Sequence, residues 1–264
     1  MAQVITPDTW GHLRRFTRAR VALGRTGASL PTREVLAFGL AHAQARDAVH
    51  LPLDTAALSV QLSANGFRCL HAASAAPDRA AYLRRPDWGR KLSAGSYEAL
   101  EAAASHHEYD RPDCVFVIAD GLSSLAAARH AVPLLEALAP HLHGARQMPV
   151  VVAAQARVAL GDEIGHVLGA RQVVVLIGER PGLSSPDSLG IYLTHAPRPG
   201  LTDAERNCIS NVRPEGLSYD LAARKLAYLM EGARRLGRSG VDLKDDSDLP
   251  SLQGGVAAIG AQDL

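Results

Sequence analysis

The chain has 264 residues, 47% of them hydrophobic, and its 28 basic side chains are balanced by 27 acidic ones to a net charge of +1. That is enough for one large or two modest domains with a substantial core, and the balanced charge excludes the clearly basic profile of a nucleic-acid-binding protein. No apolar run approaches the roughly 20 residues of a membrane span, no signal pattern opens the chain, and Cys69, Cys114 and Cys208 form neither a disulfide framework nor a zinc motif, so a soluble cytoplasmic protein with no nucleic-acid or membrane partner is expected.

In chain order, residues 1–30 open on a basic segment in which Arg14, Arg15, Arg18, Arg20 and Arg25 crowd together. A solvated helix face and a docking surface for an acidic partner both fit it. Residues 32–49 read as a helix, with Thr32 as N-cap and Val35, Leu36, Leu40 and Ala43 as its apolar stripe. Residues 54–65 read as a second helix, capped by Asp54 and stopped by Asn65 and Gly66. A short strand over 67–71, a loop over 82–91 punctuated by Pro86 and Gly89, and a helix over 96–106 follow.

The second half changes rhythm. Apolar runs at 114–119, 149–154 and 173–177 read as buried strands, alternating with helices over 125–138 and 159–169. Residues 189–194 and 208–212 read as two more short strands. Residues 218–236 form a long amphipathic helix, with Ser218 as N-cap and Leu221, Leu226, Leu229 and Met230 facing inward. Beyond about Asp248 the chain reads as a loose tail. Strand alternating with helix implies an α/β fold with right-handed crossovers and a mostly parallel sheet.

In such a sheet the segments 120–124, 155–162 and 178–185 leave strand ends along one edge, where open α/β sheets bind ligands. Taken singly, each is ordinary turn chemistry; three on one edge favour a ligand. Neither G-x-G-x-x-G nor a P-loop is present. Ser123 or Ser124 reads as a helix cap rather than a nucleophile, because the second Gly of a G-x-S-x-G elbow is missing. No histidine has a companion at metal-ligand spacing. A free cysteine is most often a small buried hydrophobe; Cys208 stands among Arg206, Asn207, Ser210, Asn211 and Arg213, polar company that favours a ligand-lining position more than at Cys69 or Cys114.

Several stretches together resemble the small (light) subunit of ethanolamine ammonia-lyase. They are TRARVALGRTG at 17–27, ADGLS at 119–123, RVALGDEIG at 157–165, GERPGL at 178–183 and CISN at 208–211, supported by Asp47 within 45–50 and by LRRPDWGR at 83–90. The match runs from about residue 12 to about 245. The resemblance implies an adenosylcobalamin-dependent conversion of ethanolamine to acetaldehyde and ammonia. It also implies a TIM-barrel large subunit as partner, in a higher-order hetero-oligomer, with cobalamin between the two chains and this one on its lower, dimethylbenzimidazole side.

The family's cobalamin contacts fall here on Val158, Glu179 and Cys208. Val158 would offer apolar surface, Glu179 would accept a hydrogen bond from a corrin amide, and Cys208 would pack on the macrocycle or an amide arm. No catalytic acid, base, nucleophile or metal ligand is assigned to this chain. The fold implied is Rossmann-like and doubly wound, with an N-terminal helical segment. Three regions are expected: 1–110, mainly helical and partner-docking; 111–240, the cobalamin-binding domain; and 241–264, an acidic and then Gly/Ala-rich tail. Many relatives have Gly where Ala156 stands. Some carry a longer amino-terminal extension that directs them into a bacterial microcompartment, so both the cytosol and that compartment are expected locations. The D-x-H-x-x-G motif of histidine-ligating cobalamin domains is absent, which fits a base-on cofactor. Two other readings remain: a non-catalytic scaffold for a barrel partner, and a nicotinamide-dependent α/β oxidoreductase.

Overall fold

The computed structural model describes residues 5–105 and 111–247. The expected tail beyond Asp248 and the end of the expected 96–106 helix lie outside the described residues. Six strands, β1 (Cys69–Ala73), β2 (Cys114–Ala119), β3 (Val150–Ala154), β4 (Gln172–Gly178), β5 (Leu189–His195) and β6 (Arg206–Val212), form one sheet in the order β1-β3-β2-β4-β5-β6. The first four in that row are parallel, and β5 and β6 add to them antiparallel. Around the sheet lie α1 (Thr32–His50), α2 (Thr55–Ala64), α3 (Arg79–Arg84), α4 (Ala94–Ser105), α5 (Ser124–Leu138), α6 (Val158–Val167) and α7 (Tyr219–Leu236). The fold is α/β and mostly parallel, as expected.

β2 and β4 are buried along their whole length because their side chains alternate between two cores. Phe116, Ile118, Val174 and Leu176 face α5 and α7, with Leu226 and Met230. Val115, Val117, Val173, Val175 and Ile177 face α6, with Leu160 and Ile164. Burying a Val, Leu or Ile fully is worth about 1.5–3 kcal/mol, so a strand with no polar face is stable only between two covered layers.

Four helix starts follow side-chain capping. Asp54 accepts the Ala57 amide, Asp78 that of Ala81, Ser123 that of Ala126 and Ser218 that of Leu221. Other expectations are corrected. Pro31, not Thr32, holds the N-cap of α1. The stretch expected as a loop from Tyr82 begins inside α3, which Asp78 nucleates, and Tyr82 itself is fully buried. The basic entry segment contains a single 3-10 turn, Gly11–Arg15, rather than a helix through Arg25. Leu221 is 41% exposed instead of inward.

The largest departure is α1. Its small residues Ala41 and Ala48 face the body, while Leu36 and Leu40 are 67% and 61% exposed and Val35 and Phe38 stand beside them. The helix is nevertheless tied at its carboxyl end, where Arg79 Nε donates to the Val49 carbonyl at 2.8 Å and Ser124 Oγ to that of Leu51 at 2.7 Å.

Candidate functional site

β3, β2 and β4 are parallel neighbours, so the segments 120–124, 155–162 and 178–185 do emerge along one edge. Asp120 joins two of them. Its Oδ1 accepts the Ala156 amide at 2.9 Å, and its Oδ2 accepts the Gln155 amide at 2.9 Å and Arg79 Nη1–H at 2.8 Å. Burial raises its carboxyl above the ordinary range, and the Arg79 charge and the two amides oppose that rise.

Tyr82 sits beneath the same edge. Its hydroxyl oxygen lies 2.9 and 3.0 Å from the carbonyl oxygens of Gly121 and Ala156, the two acceptors of its proton. Its ring is flanked by the guanidinium groups of Arg79 and Arg157, 4.8 and 4.4 Å from the centroid. Ala156 needs no unusual backbone, because the positive φ of this turn falls on Gln155 at 56°.

The first and third segments touch through backbone alone. A β-carbon on Gly121 would lie 2.2 Å from the Gly178 carbonyl oxygen, which instead accepts the Leu122 amide at 2.9 Å. Only glycine fits there. Ser123 caps α5 and also donates to the Pro186 carbonyl at 2.8 Å. Asp187 accepts from Arg129 at 2.9 Å and Arg213 at 3.0 Å, with His130 at 3.5 Å. The loop between β4 and β5 is therefore held at both of its sides.

α6 lies along β4. A β-carbon on Gly161 would meet Val175 Cγ2 at 2.2 Å, and one on Gly165 would meet Val173 Cβ at 3.2 Å. Helix and strand run in opposite directions, so Val158, about one turn before Gly161, stands over the carboxyl end of β4. On the same sheet face, Ile177 pairs with Gly190, Val175 with Tyr192, and Tyr192 with Cys208. The Glu179 side chain folds over Gly190: Cγ and Oε1 come within 3.2 and 3.1 Å of the point where a β-carbon would sit, and Tyr192 Cε2 within 3.4 Å. Val158, Glu179 and Cys208, singled out by sequence, thus come from three elements onto one face. Val158, Glu179 and Tyr192 are half-buried, and Cys208 is exposed.

Glu179 is oriented on one side only. Its Oε2 accepts the Ser188 hydroxyl and, at 3.3 Å, the Asn211 amide. Its Oε1 accepts no hydrogen bond among the described residues. Burial, then the adjacent Cys208, then the Glu179 charge push the Tyr192 phenol well above its usual range, so it remains a protonated donor. Arg157 has a buried Nε with no partner among the described residues. Across the sheet edge, burial of Asp162 raises its carboxyl while Arg206, its buried ion-pair partner, opposes the rise and ties α6 to β6.

Sequence reasoning missed Arg79, Tyr82, Ser188, Gly190 and Tyr192. Gly190 and Tyr192 were legible as same-face positions of one strand, two residues apart. Arg79 and Tyr82 carried only the cap signal of Asp78. Among the described residues there is no group of three or more His, Cys, Asp or Glu able to hold a metal, and no helix long and apolar enough to cross a membrane.

Comparison with known proteins places these features in a family. Residues 7–244 match the family model described as ethanolamine ammonia-lyase light chain (EutC). The chain is 57% identical over 253 residues to the ethanolamine ammonia-lyase small subunit of Ralstonia nicotianae, covering 95% of this chain and 93% of that one. It is 57% identical over 251 residues to that of Azotobacter vinelandii, covering 94% and 93%, and 58% identical over 248 residues to that of Pseudomonas fluorescens strain Pf0-1, covering 93% and 90%.

Proposed function

Starting from a chain that belongs to the ethanolamine ammonia-lyase light chain family, a family of carbon–nitrogen lyase subunits, we propose that it holds the lower, dimethylbenzimidazole side of adenosylcobalamin against a TIM-barrel large subunit. The assembled hetero-oligomer converts ethanolamine to acetaldehyde and ammonia. The observation that carries this reading is the meeting of Val158, Glu179 and Cys208 on one open sheet face, with Glu179 Oε1 left without a donor.

The residues fit a flat macrocycle fringed with carboxamides. Gly190 leaves a shallow seat where a side chain would crowd Glu179 and touch the Tyr192 ring. Val158 supplies apolar surface beside it. Glu179 accepts an N–H from a corrin side-chain amide through Oε1, while Ser188 and the Asn211 amide keep Oε2 turned inward. Cys208 packs against the macrocycle or an amide arm. Arg157, with its guanidinium on the Tyr82 ring and its Nε unpaired, pairs with the nucleotide phosphate. When bound, adenosylcobalamin supplies a cobalt–carbon bond whose homolysis starts the radical chemistry. This chain supplies position and electrostatics, and none of its groups is assigned as acid, base or nucleophile.

The exposed side of α1 that carries Leu36 and Leu40 is assigned to the large subunit. A contiguous apolar patch on a folded surface marks an interaction site. The nicotinamide reading loses ground at Gly121, which is pressed against Gly178 instead of opening toward a pyrophosphate.

The test is acetaldehyde release from ethanolamine and adenosylcobalamin by the large subunit, with and without this chain. Release only when both are present is expected, and Glu179→Ala weakens cobalamin binding while the complex stays intact. Full release without this chain would leave it a scaffold. No release from a cobalamin-loaded complex would mean a different amino alcohol or a different reaction.

A further inference from the structure

We infer that Tyr192 is a further cofactor-binding residue, whose phenol donates a hydrogen bond to the carbonyl of the same corrin carboxamide whose N–H Glu179 accepts. This rests on the cobalamin reading above and extends it to a residue that neither the sequence motifs nor the resemblance singled out.

Three observations carry it. Tyr192 stands between two of the residues already assigned, with Cys208 opposite it on β6 and Glu179 beside it over Gly190. The ring edge of Tyr192 and the Oε1 of Glu179 lie within 3.4 and 3.1 Å of one point above Gly190, so an acceptor and a phenol border the same seat. The phenol also has no oxygen or nitrogen acceptor among the described residues: its side-chain hydrogen bond is to the Cys208 sulfur, a weak acceptor that is itself 3.4 Å from Ser210 Oγ. A weak sulfur acceptor leaves the hydroxyl able to donate to a better oxygen on a ligand. A primary carboxamide presents an N–H donor and a carbonyl acceptor side by side. One carboxylate oxygen next to one phenol is the complementary pair, and a methyl at Gly190 would crowd the Glu179 side chain and reach the Tyr192 ring edge at ordinary contact distance.

The experiment is equilibrium dialysis of cyanocobalamin, whose upper ligand is inert, against the complex assembled with the large subunit. It compares the native chain, Tyr192→Phe and Glu179→Ala, with complex integrity followed by gel filtration and stability by thermal melting. Loss of one neutral hydrogen bond predicts a Kd raised about three- to tenfold in Tyr192→Phe, with elution unchanged. The same titration with cobalamin monocarboxylic acids, each with one corrin amide hydrolysed, identifies the amide. One isomer should bind the native complex more weakly than the rest, because its carboxylate offers Glu179 no N–H and repels it; Glu179→Ala should narrow that gap, and Tyr192→Phe, which removes a donor to the carboxylate, should widen it for that isomer alone. Weakening by Glu179→Ala but not by Tyr192→Phe would overturn the inference and leave the cobalamin reading standing. No weakening in either variant would overturn both. A Tyr192→Phe effect equal for every isomer would mean a structural role and would overturn the inference.

Discussion

Ser188 donates its hydroxyl to Glu179 Oε2, and the same two residues close the backbone of the β4–β5 loop, where the Glu179 amide donates to the Ser188 carbonyl at 2.9 Å. The loop is clasped at its base by one pair, and the direction of the Glu179 carboxylate is inherited from that clasp.

Ser188→Ala should therefore weaken cobalamin binding without touching the cofactor itself. The Asn211 amide still holds Oε2 at 3.3 Å, so the loss should be smaller than in Glu179→Ala. The chain should also lose about 1–2 kcal/mol of stability. Equilibrium dialysis and urea unfolding of the two variants in parallel check the order. A Ser188→Ala complex that binds more weakly than Glu179→Ala would contradict the clasp.

Asp120→Ala removes the acceptor of Arg79 and of two loop amides at once. A buried Arg79 then has no counter-charge at this position, and destabilisation of about 3–5 kcal/mol is expected. Tyr82→Phe takes only one hydroxyl from the same node and should cost about 1 kcal/mol. Denaturant midpoints give both numbers, and equal losses would mean that Asp120 does not carry the network.

Acidification should destabilise the chain as pH falls below about 6.5. Burial depresses the His130 imidazole, which Asp187 and Tyr219 face and Arg129 neighbours, and burial also depresses His195. A histidine held below its unfolded value near 6.5 binds fewer protons folded than unfolded. Its contribution is thus complete above that value and is lost as pH falls through the folded one. Asp187 is held below the ordinary carboxylate range: burial raises it, but Arg129, His130 and Arg213 outweigh that. Its contribution is lost only as pH falls below about 4 toward its folded value. Melting temperature against pH should show the upper step, and His130→Asn should flatten much of it. An unchanged slope would assign the step to His195 alone.

Leu36→Asp with Leu40→Asp should leave the fold of the chain intact, since both side chains already face solvent. Far-UV circular dichroism and melting should match the parent, while association with the large subunit weakens by about tenfold or more. Binding of an apolar dye to the isolated chain should fall in the same variant. Unaltered assembly would place the interface elsewhere.

The strands were the most legible part of this molecule. Residues 114–119 were expected and observed as β2 to the residue, because burial on both faces writes a continuous apolar run. The three positions assigned to the cofactor were singled out by motif, and the sheet register together with the packing of α6 on β4 puts them on one face. The orientation of α1 was not legible. Val35, Leu36 and Leu40 recur at helical spacing whether the face they form meets the chain's own core or another molecule, and here alanines take the inward side. Tyr82 was hidden for a different reason: α3 has six residues, too few to show a period. Tyr192 was hidden because its role comes from a cross-strand partner sixteen residues away rather than from its own neighbours.

The antiparallel addition to the sheet also divides the molecule in time. Val175 meets Tyr192 seventeen residues later, and Tyr192 meets Cys208 after sixteen more, whereas Cys69 of β1 meets Val150 only after eighty-one. Short closures cost less chain entropy, and local pairings form sooner than distant ones. Glu179, Gly190, Tyr192 and Cys208 all belong to this contiguous meander and can zip into register as one nascent unit. Val158 joins them only when α6 docks along β4, and the turn before it is fixed only when Asp120 and Arg79 arrive from distant parts of the chain. The face assigned to the cofactor thus has an early half and a late half, and the seam between them runs along α6.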